Sequence, residues 1–153
     1  MTGRFKIPRS VLVVIYTVDL QVLMLERAGW PGFWQSVTGS IDHADEPFIE
    51  TAAREVQEET GIDTSHYRLT DWEIENRFEI FKKYRSRYAE GVTHNQEHVF
   101  GLELPEIVPV RLEPTEHLDY RWLPWKEAAA ATPSWSNRDA ILLLPRRAPR
   151  EPD

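Results

Sequence analysis

The 153-residue chain contains no cysteine, so disulfide staples and thiolate zinc sites are excluded and a reducing compartment is compatible with it. Long apolar runs are missing as well. The opening MTGRFKIPRS lacks the apolar stretch of a signal peptide, and no segment approaches the roughly 20 apolar residues of a membrane-crossing helix. A cytoplasmic protein without a membrane partner is expected. Basic residues are outnumbered 18 to 25, for a formal net charge of −7, which argues against a broad nucleic-acid surface. A phosphate ligand must then be met locally, by a few cations or a bridging metal. Internal repeats and linkers are also absent. With 41% apolar and 11% aromatic residues, the chain suits one self-sufficient core. Residues 1–145 read as a single domain, and 146–153, charged and Pro-rich, as a disordered tail.

What is there divides into strands and helices. Ser10 to Tyr16 is a β-branched run suited to a strand buried on both faces, and Val22 to Leu25 follows a polar turn at Asp19 to complete a hairpin. Residues 28–33 read as a loop, Trp34–Val37 as an extended piece, and Thr38-Gly39 as a turn. Pro47 to Thr60 has helical spacing, with Ile49, Ala52, Ala53 and Val56 as the apolar stripe and Gly61 as the C-terminal cap. Leu69–Phe81, His98–Leu104 and Tyr120–Leu123 read as strands, and Trp125–Ala131 and Ser136–Leu144 as helices. Strands interleaved with helices predict an α/β/α layered domain with a mixed sheet between helices. Lys82, Lys83, Arg85 and Arg87 either attract an anion or decorate a solvated strand edge, and the edge is favoured.

The most informative stretch is Gly39 to Ile62, GSIDHADEPFIETAAREVQEETGI. On a helix, Glu55, Glu58 and Glu59 share one face, set away from the apolar stripe so that packing and chemistry need not compete. Neighbouring carboxylates repel by roughly a few tenths of a kcal/mol per pair. A hard divalent cation offsets this repulsion. Mg²⁺ fits because it accepts a few carboxylates, keeps waters and bridges to phosphate oxygens, with Mn²⁺ as a substitute. His43, His66, His94, His98 and His117 show no ligand spacing and read as surface or structural, with His117, beside Glu116, the one worth testing. Arg54, one turn before Glu58, has the forked guanidinium to orient a carboxylate. Taken alone, EVQEET also reads as a solvated helix face.

The stretch resembles the Nudix box, G-x5-E-x7-R-E-U-x-E-E-x-G-U with U aliphatic. Arg54 to Ile62 matches every fixed position, and Glu46 stands seven residues before Arg54. The segment from Gly39 to Glu46 departs from the pattern, with six intervening residues in place of five. The longer loop precedes the helix and spares its ligand spacing. Segments outside the box (PRSVLVVIY, FWQSVTGS, FEIF, RYAEGVTHN, TEHLDYRWL, SWSNR) are similar to a bacterial Nudix subfamily of folate biosynthesis. This resemblance implies Mg²⁺-dependent hydrolysis of 7,8-dihydroneopterin triphosphate to the monophosphate and pyrophosphate. Other Nudix substrates, such as oxidised nucleotides or dinucleoside polyphosphates, and a non-catalytic Nudix binding module are the alternatives.

The resemblance also implies roles. Glu55 and Glu59 become metal ligands, and Glu58 a further ligand or a base one step removed from the metal. Glu116 in PTEHL becomes a carboxylate brought to the metal from outside the helix and able to take the proton of the attacking water. With Arg54, Glu58 and Glu116 form the implied catalytic set. Lys6, Arg27, Thr38 and Ser134 match substrate contacts, and Phe78-Glu79-Ile80-Phe81 the pterin-facing strand. A flat ring suits an aromatic wall, and its amino-pyrimidine edge donates to a carboxylate such as Glu79. On their residue types alone, Phe78 and Phe81 equally read as core, Ser134 as a helix cap, and Lys6 and Arg27 as strand-flanking cations. The expected partner is a small-molecule triphosphate, bound by a monomer or weak homodimer without nucleic acid.

Overall fold

The β-branched run near the N-terminus becomes the central strand β1 (Arg9–Thr17), buried from Ser10 onward. Apolar side chains at consecutive positions need cover on both sheet faces, and helices supply it. In the computed structural model, which describes residues 5–147, the order continues β2 (Gln21–Arg27), β3 (Trp34–Gln35), β4 (Val37–Ser40), α1 (Phe48–Thr60), β5 (Arg68–Glu79) and β6 (His94–Leu104). It closes with β7 (His117–Pro124), α2 (Trp125–Ala131), α3 (Trp135–Leu142) and α4 (Leu144–Arg147). The strands form one mixed sheet of order β3-β2-β1-β6-β5, with β4 on β1 and β7 on β2.

β6 runs parallel along one edge of β1, from Arg9↔Gln96 to Thr17↔Leu104. The opposite edge is shared. β2 pairs near the end, at Tyr16↔Val22, whereas β4 pairs with Ser10 to Val13. Two partners on one edge divide the sheet, and the division opens the space that becomes the site. One core lies under α1, where Val11, Val13 and Ile15 meet Ala52 and Val56. The other lies under α2 and α3, where Leu12, Val14 and Tyr16 meet Ala128, Ala140 and Ile141. Among the described residues no helix is long and apolar enough to cross a membrane.

Several local expectations change. Thr38 and Gly39 are strand residues of β4, paired with Leu12 and Val11, because β1 still has an open edge there. Ile49 is 49% exposed, and the buried face of α1 is instead Thr51, Ala52, Val56, Glu59 and Thr60. Glu59 thus lies within the packed face. The basic stretch is a 3-10 turn over Lys82–Arg87, not a strand edge. α3 starts one residue earlier than expected, capped by Ser134, whose hydroxyl accepts from the Asn137 amide at 3.3 Å. Arg146 and Arg147 belong to α4, and the rest of the expected tail, 148–153, lies outside the described residues.

Gly101 of β6 has the Trp72 indole laid against it, so that an added Cβ would sit 2.5 Å from three ring atoms. Trp72 is buried and cannot swing away. Gly101→Ala is therefore expected to destabilise by about 1–3 kcal/mol, read by urea unfolding. A change within error removes this account of the glycine.

Candidate active site

At the divided edge lies a cavity of about 710 Å³, a size typical of small-molecule sites. β1, β4, β5, β6, the start of β7 and the N-terminus of α3 contribute to its lining. Seven buried side-chain polar atoms among the described residues have no hydrogen-bond partner. Five of them belong to cavity residues, namely Glu59, Tyr84, Asn95, Glu97 and His117. Buried polar groups are normally paired, so their concentration here marks a surface built for a ligand.

α1 brings the box carboxylates to one end. Glu59 borders the cavity, with Oε2 unpartnered, and its carboxyl is raised well above the usual range by burial, then by Glu55 and Glu116. Glu55 lies against the β4 backbone, where a Cβ on Gly39 would come within 2.1 Å of its carboxyl carbon. Burial raises the Glu55 carboxyl to about 7, opposed by Arg54 and reinforced by Glu58. Glu58 is 58% exposed and, like Glu55, stands outside the cavity lining. Glu116 borders it from the loop before β7. These carboxylates crowd one region, yet among the described residues no three acidic or histidine groups converge as a closed ligand set.

Arg54 stands behind this group and does not reach the cavity. Its guanidinium donates to Glu55 at 2.8 Å and to both oxygens of Glu46, at 2.9 and 3.3 Å, and approaches Glu58 at 3.6 Å. Glu46 also accepts from the Thr51 hydroxyl at 2.7 Å and the Asp42 amide at 2.9 Å. The six-residue loop therefore closes without disturbing the Glu46–Arg54 pair. Arg54 first, then Thr51 and the Asp42 amide, hold the Glu46 carboxyl down at about 2 against the opposing effect of burial.

Cations occupy the facing wall. Lys6 forms a bridge to Tyr88, its amide donating to the Arg87 carbonyl at 2.8 Å, which brings Lys6 and Arg87 together. The Tyr84 ring carries two guanidinium groups, Arg27 at 4.4 Å and Arg87 at 4.7 Å from its centroid. Burial, then Arg87 and Arg27, lower the Lys6 ammonium. Arg87 borders the cavity, and Lys82, Lys83 and Arg85 do not, so the basic stretch contributes one residue that the edge reading overlooked. Thr38 borders the cavity too, accepting from Gln35 at 3.4 Å.

Flat and polar groups complete the cavity. Phe78, Glu79, Ile80 and Phe81 all line it, because β5 stops at Glu79 and the chain leaves strand alternation. Ile80 is buried, Phe81 is 43% exposed and edge-on to Phe33, and Glu79 is exposed and paired with Arg85 at 2.5 Å. Ser134 borders the cavity while capping α3, so its two readings coexist. Asn137 fixes that helix end by accepting from the Ser36 amide at 2.7 Å and donating to its hydroxyl at 2.9 Å. Sequence reasoning missed Glu97, Asn95 and Tyr84 and gave His117 no role beyond a histidine worth testing. His117 is 3% exposed, and burial, then Arg27, push its imidazole down to about 4. Burial raises the Glu97 carboxyl to about 7, opposed by hydrogen bonds from Ser136 and Asn76. A polar residue at an inward strand position, in step with Val99, was the signal available.

The fold and this arrangement of carboxylates define a class. The chain belongs to the Nudix family, since the model of the NUDIX domain matches residues 6–144. It is 50% identical over 140 residues to the dihydroneopterin triphosphate diphosphatase of Escherichia coli (strain K12), covering 90% of this chain and 91% of that protein. The Haemophilus influenzae protein of the same name is 45% identical over 142 residues, covering 90% of this chain and 87% of its own. The solved E. coli dihydroneopterin triphosphate pyrophosphohydrolase superposes with a TM-score of 0.85 at 48% identity, over 91% of this chain and 95% of that one.

Glu46 supplies a pH test. Its folded carboxyl sits at about 2, below the roughly 4.3 of an unfolded glutamate. Its contribution is present above the unfolded value and is lost as pH falls toward 2. Urea unfolding of wild type and Glu46→Gln between pH 6 and 2.5 is expected to show the stability gap narrowing as pH falls. A constant gap contradicts the ion-pair role.

Proposed function

We propose that this chain hydrolyses 7,8-dihydroneopterin triphosphate to dihydroneopterin monophosphate and pyrophosphate in folate biosynthesis. The observation that carries the reading is one cavity lined together by the carboxylates Glu59 and Glu116, by the cations Lys6, Arg27 and Arg87, and by aromatic and hydrogen-bonding groups such as Phe78, Phe81 and Asn95. A triphosphate joined to a flat heterocycle has the same two-part chemistry. The relatives named above support that substrate.

Glu55, Glu58, Glu59 and Glu116 would hold a divalent cation. They are hard oxygen donors, one with a buried unpartnered oxygen, and their mutual repulsion is what such an ion relieves. We assign Mg²⁺, with Mn²⁺ as a substitute. When bound, the ion neutralises phosphate oxygens as a Lewis acid. Lys6, Arg27 and Arg87 hold the triphosphate and offset charge developing on the phosphate oxygens as the anhydride breaks. Glu116, on the cavity wall, takes the proton of the attacking water, and Glu58, on the exposed turn, remains a ligand. The water oxygen bonds to one phosphorus of the α–β anhydride, the bridging P–O bond breaks, and the other phosphate group departs with the bridging oxygen and its electron pair, giving the monophosphate and pyrophosphate. Arg54 acts through Glu55 and Glu46, which makes it a positioning residue. Thr38 and Ser134 contact the substrate, and Phe78, Glu79, Ile80 and Phe81 wall its ring. The chain is taken to work in the cytoplasm as a single domain, monomeric or weakly dimeric, without nucleic-acid or membrane partners.

Steady-state release of pyrophosphate and orthophosphate, with Mg²⁺ or chelator, tests the reading across dihydroneopterin triphosphate, the dNTPs, 8-oxo-dGTP and a dinucleoside tetraphosphate. The highest kcat/KM is expected on the pterin, with pyrophosphate released and activity lost in chelator. Preference for a nucleotide rejects the pterin assignment, and no turnover of any substrate rejects the enzyme. Glu59→Gln is expected to unfold no earlier than wild type, because a buried charge is removed. It should lose more than the roughly 100-fold seen when a residue supporting a ligand is removed, and full Mg²⁺-dependent turnover would sink its metal role.

A further inference from the structure

The sheet face beneath α3 turns from apolar to polar as it reaches the cavity. Along β6 the inward row reads Val99, Glu97, Asn95, each 3% exposed or less. The Asn95 amide nitrogen donates to the Ser10 hydroxyl at 2.7 Å, while its carbonyl Oδ1 has no partner. Glu97 accepts from Ser136 and Asn76, and its Oε1 has no partner. Residues two apart on a strand share a face, about 6–7 Å from one another. Two unsatisfied acceptors therefore border the same end of the cavity, with Phe78 paired opposite Asn95 and Trp135 arriving from α3. Unpaired buried acceptors are costly, and a ligand rich in N–H donors satisfies them. Glu79 does not match this description, because it is exposed and already paired with Arg85.

We propose that Glu97, assisted by Asn95, determines specificity by reading the 2-amino-4-oxopyrimidine edge of the substrate. The ring N–H and the adjacent 2-amino group form a parallel donor pair, of which the unpartnered Oε1 of Glu97 accepts one N–H, and the Asn95 carbonyl accepts a further N–H. Glu79 is left paired with Arg85. The proposal rests on the pterin reading for its natural substrate, although the edge itself is shared with guanine.

The test compares wild type with Glu97→Gln and Glu97→Leu on dihydroneopterin triphosphate, on dGTP, which carries the same edge, and on dATP, which lacks it. Thermal unfolding serves as the fold control. The expected result is a rise in KM of about 10- to 100-fold for the first two substrates, the loss of one hydrogen bond to a charged group. The kcat should change little, and dATP should be affected far less. An unchanged KM for dihydroneopterin triphosphate in both variants overturns the assignment, as does an equal loss on all three substrates. If wild type prefers dGTP to the pterin, the pterin reading fails, while a Glu97-dependent preference for dGTP over dATP still upholds the edge subsite. Absence of that preference as well overturns both. Should neither variant fold, wild type decides alone. As a competitive inhibitor dITP, which lacks the 2-amino group, is expected to bind about tenfold more weakly than dGTP, and equal binding overturns the proposal.

Discussion

A carboxylate placed within a packed helix face is costly to hold without a partner, and α1 places Glu59 there. Burial and the neighbouring acids raise it well above its usual range, so the charge has to be met by something outside the helix. Much of the surrounding structure answers that need. Arg54 gathers Glu46, Glu55 and Glu58, which keeps the neighbouring acids from adding an unbalanced charge of their own. Gly39, without a side chain, lets Glu55 lie against β4. The Glu46 loop can vary in length because what matters is the position of its carboxylate against Arg54, not the path taken to reach it.

The second constraint is topological. β1 has β6 along the whole of one edge, and its other edge passes from β2 to β4. The resulting division gives α1 access to a cavity whose remaining walls come from the opposite layer. Carboxylates and cations meet there because Arg27 ends β2, Lys6 precedes β1, and Arg87 ends the 3-10 turn that places Tyr84 between the two guanidinium groups. Ser134 and Ser136 border the cavity at the end of α3 that Asn137 ties to Ser36, 101 residues away in the chain.

Elements with a strong local signal were legible in advance. The β-branched run of β1, the hairpin to β2, the helical spacing ending at Gly61 and the helix Trp125–Ala131 each follow from side-chain type and period, and each is found. The Nudix assignment was legible for a related reason, since ligand spacing on a helix is a property of consecutive residues. Which side of α1 is buried was legible only in part, since Ala52 and Val56 of the expected stripe are buried while Ile49 is not. Ile49 and Glu59 exchange their expected environments because the helix is oriented by the sheet it covers, and the sheet decides that Ala52 and Val56 point inward. Thr38 and Gly39 likewise became strand residues because an open edge of β1 recruited them.

The sequence by itself determined the layered class and the box carboxylates with their arginine, because these depend on local period and chemical type. Only the tertiary structure decided that Arg54 stands behind the site, that Arg87 faces into it while its basic neighbours do not, and that Glu97 and Asn95 are buried acceptors beside Phe78. Those facts depend on strand register and on contacts between residues far apart in the chain, which no local pattern encodes.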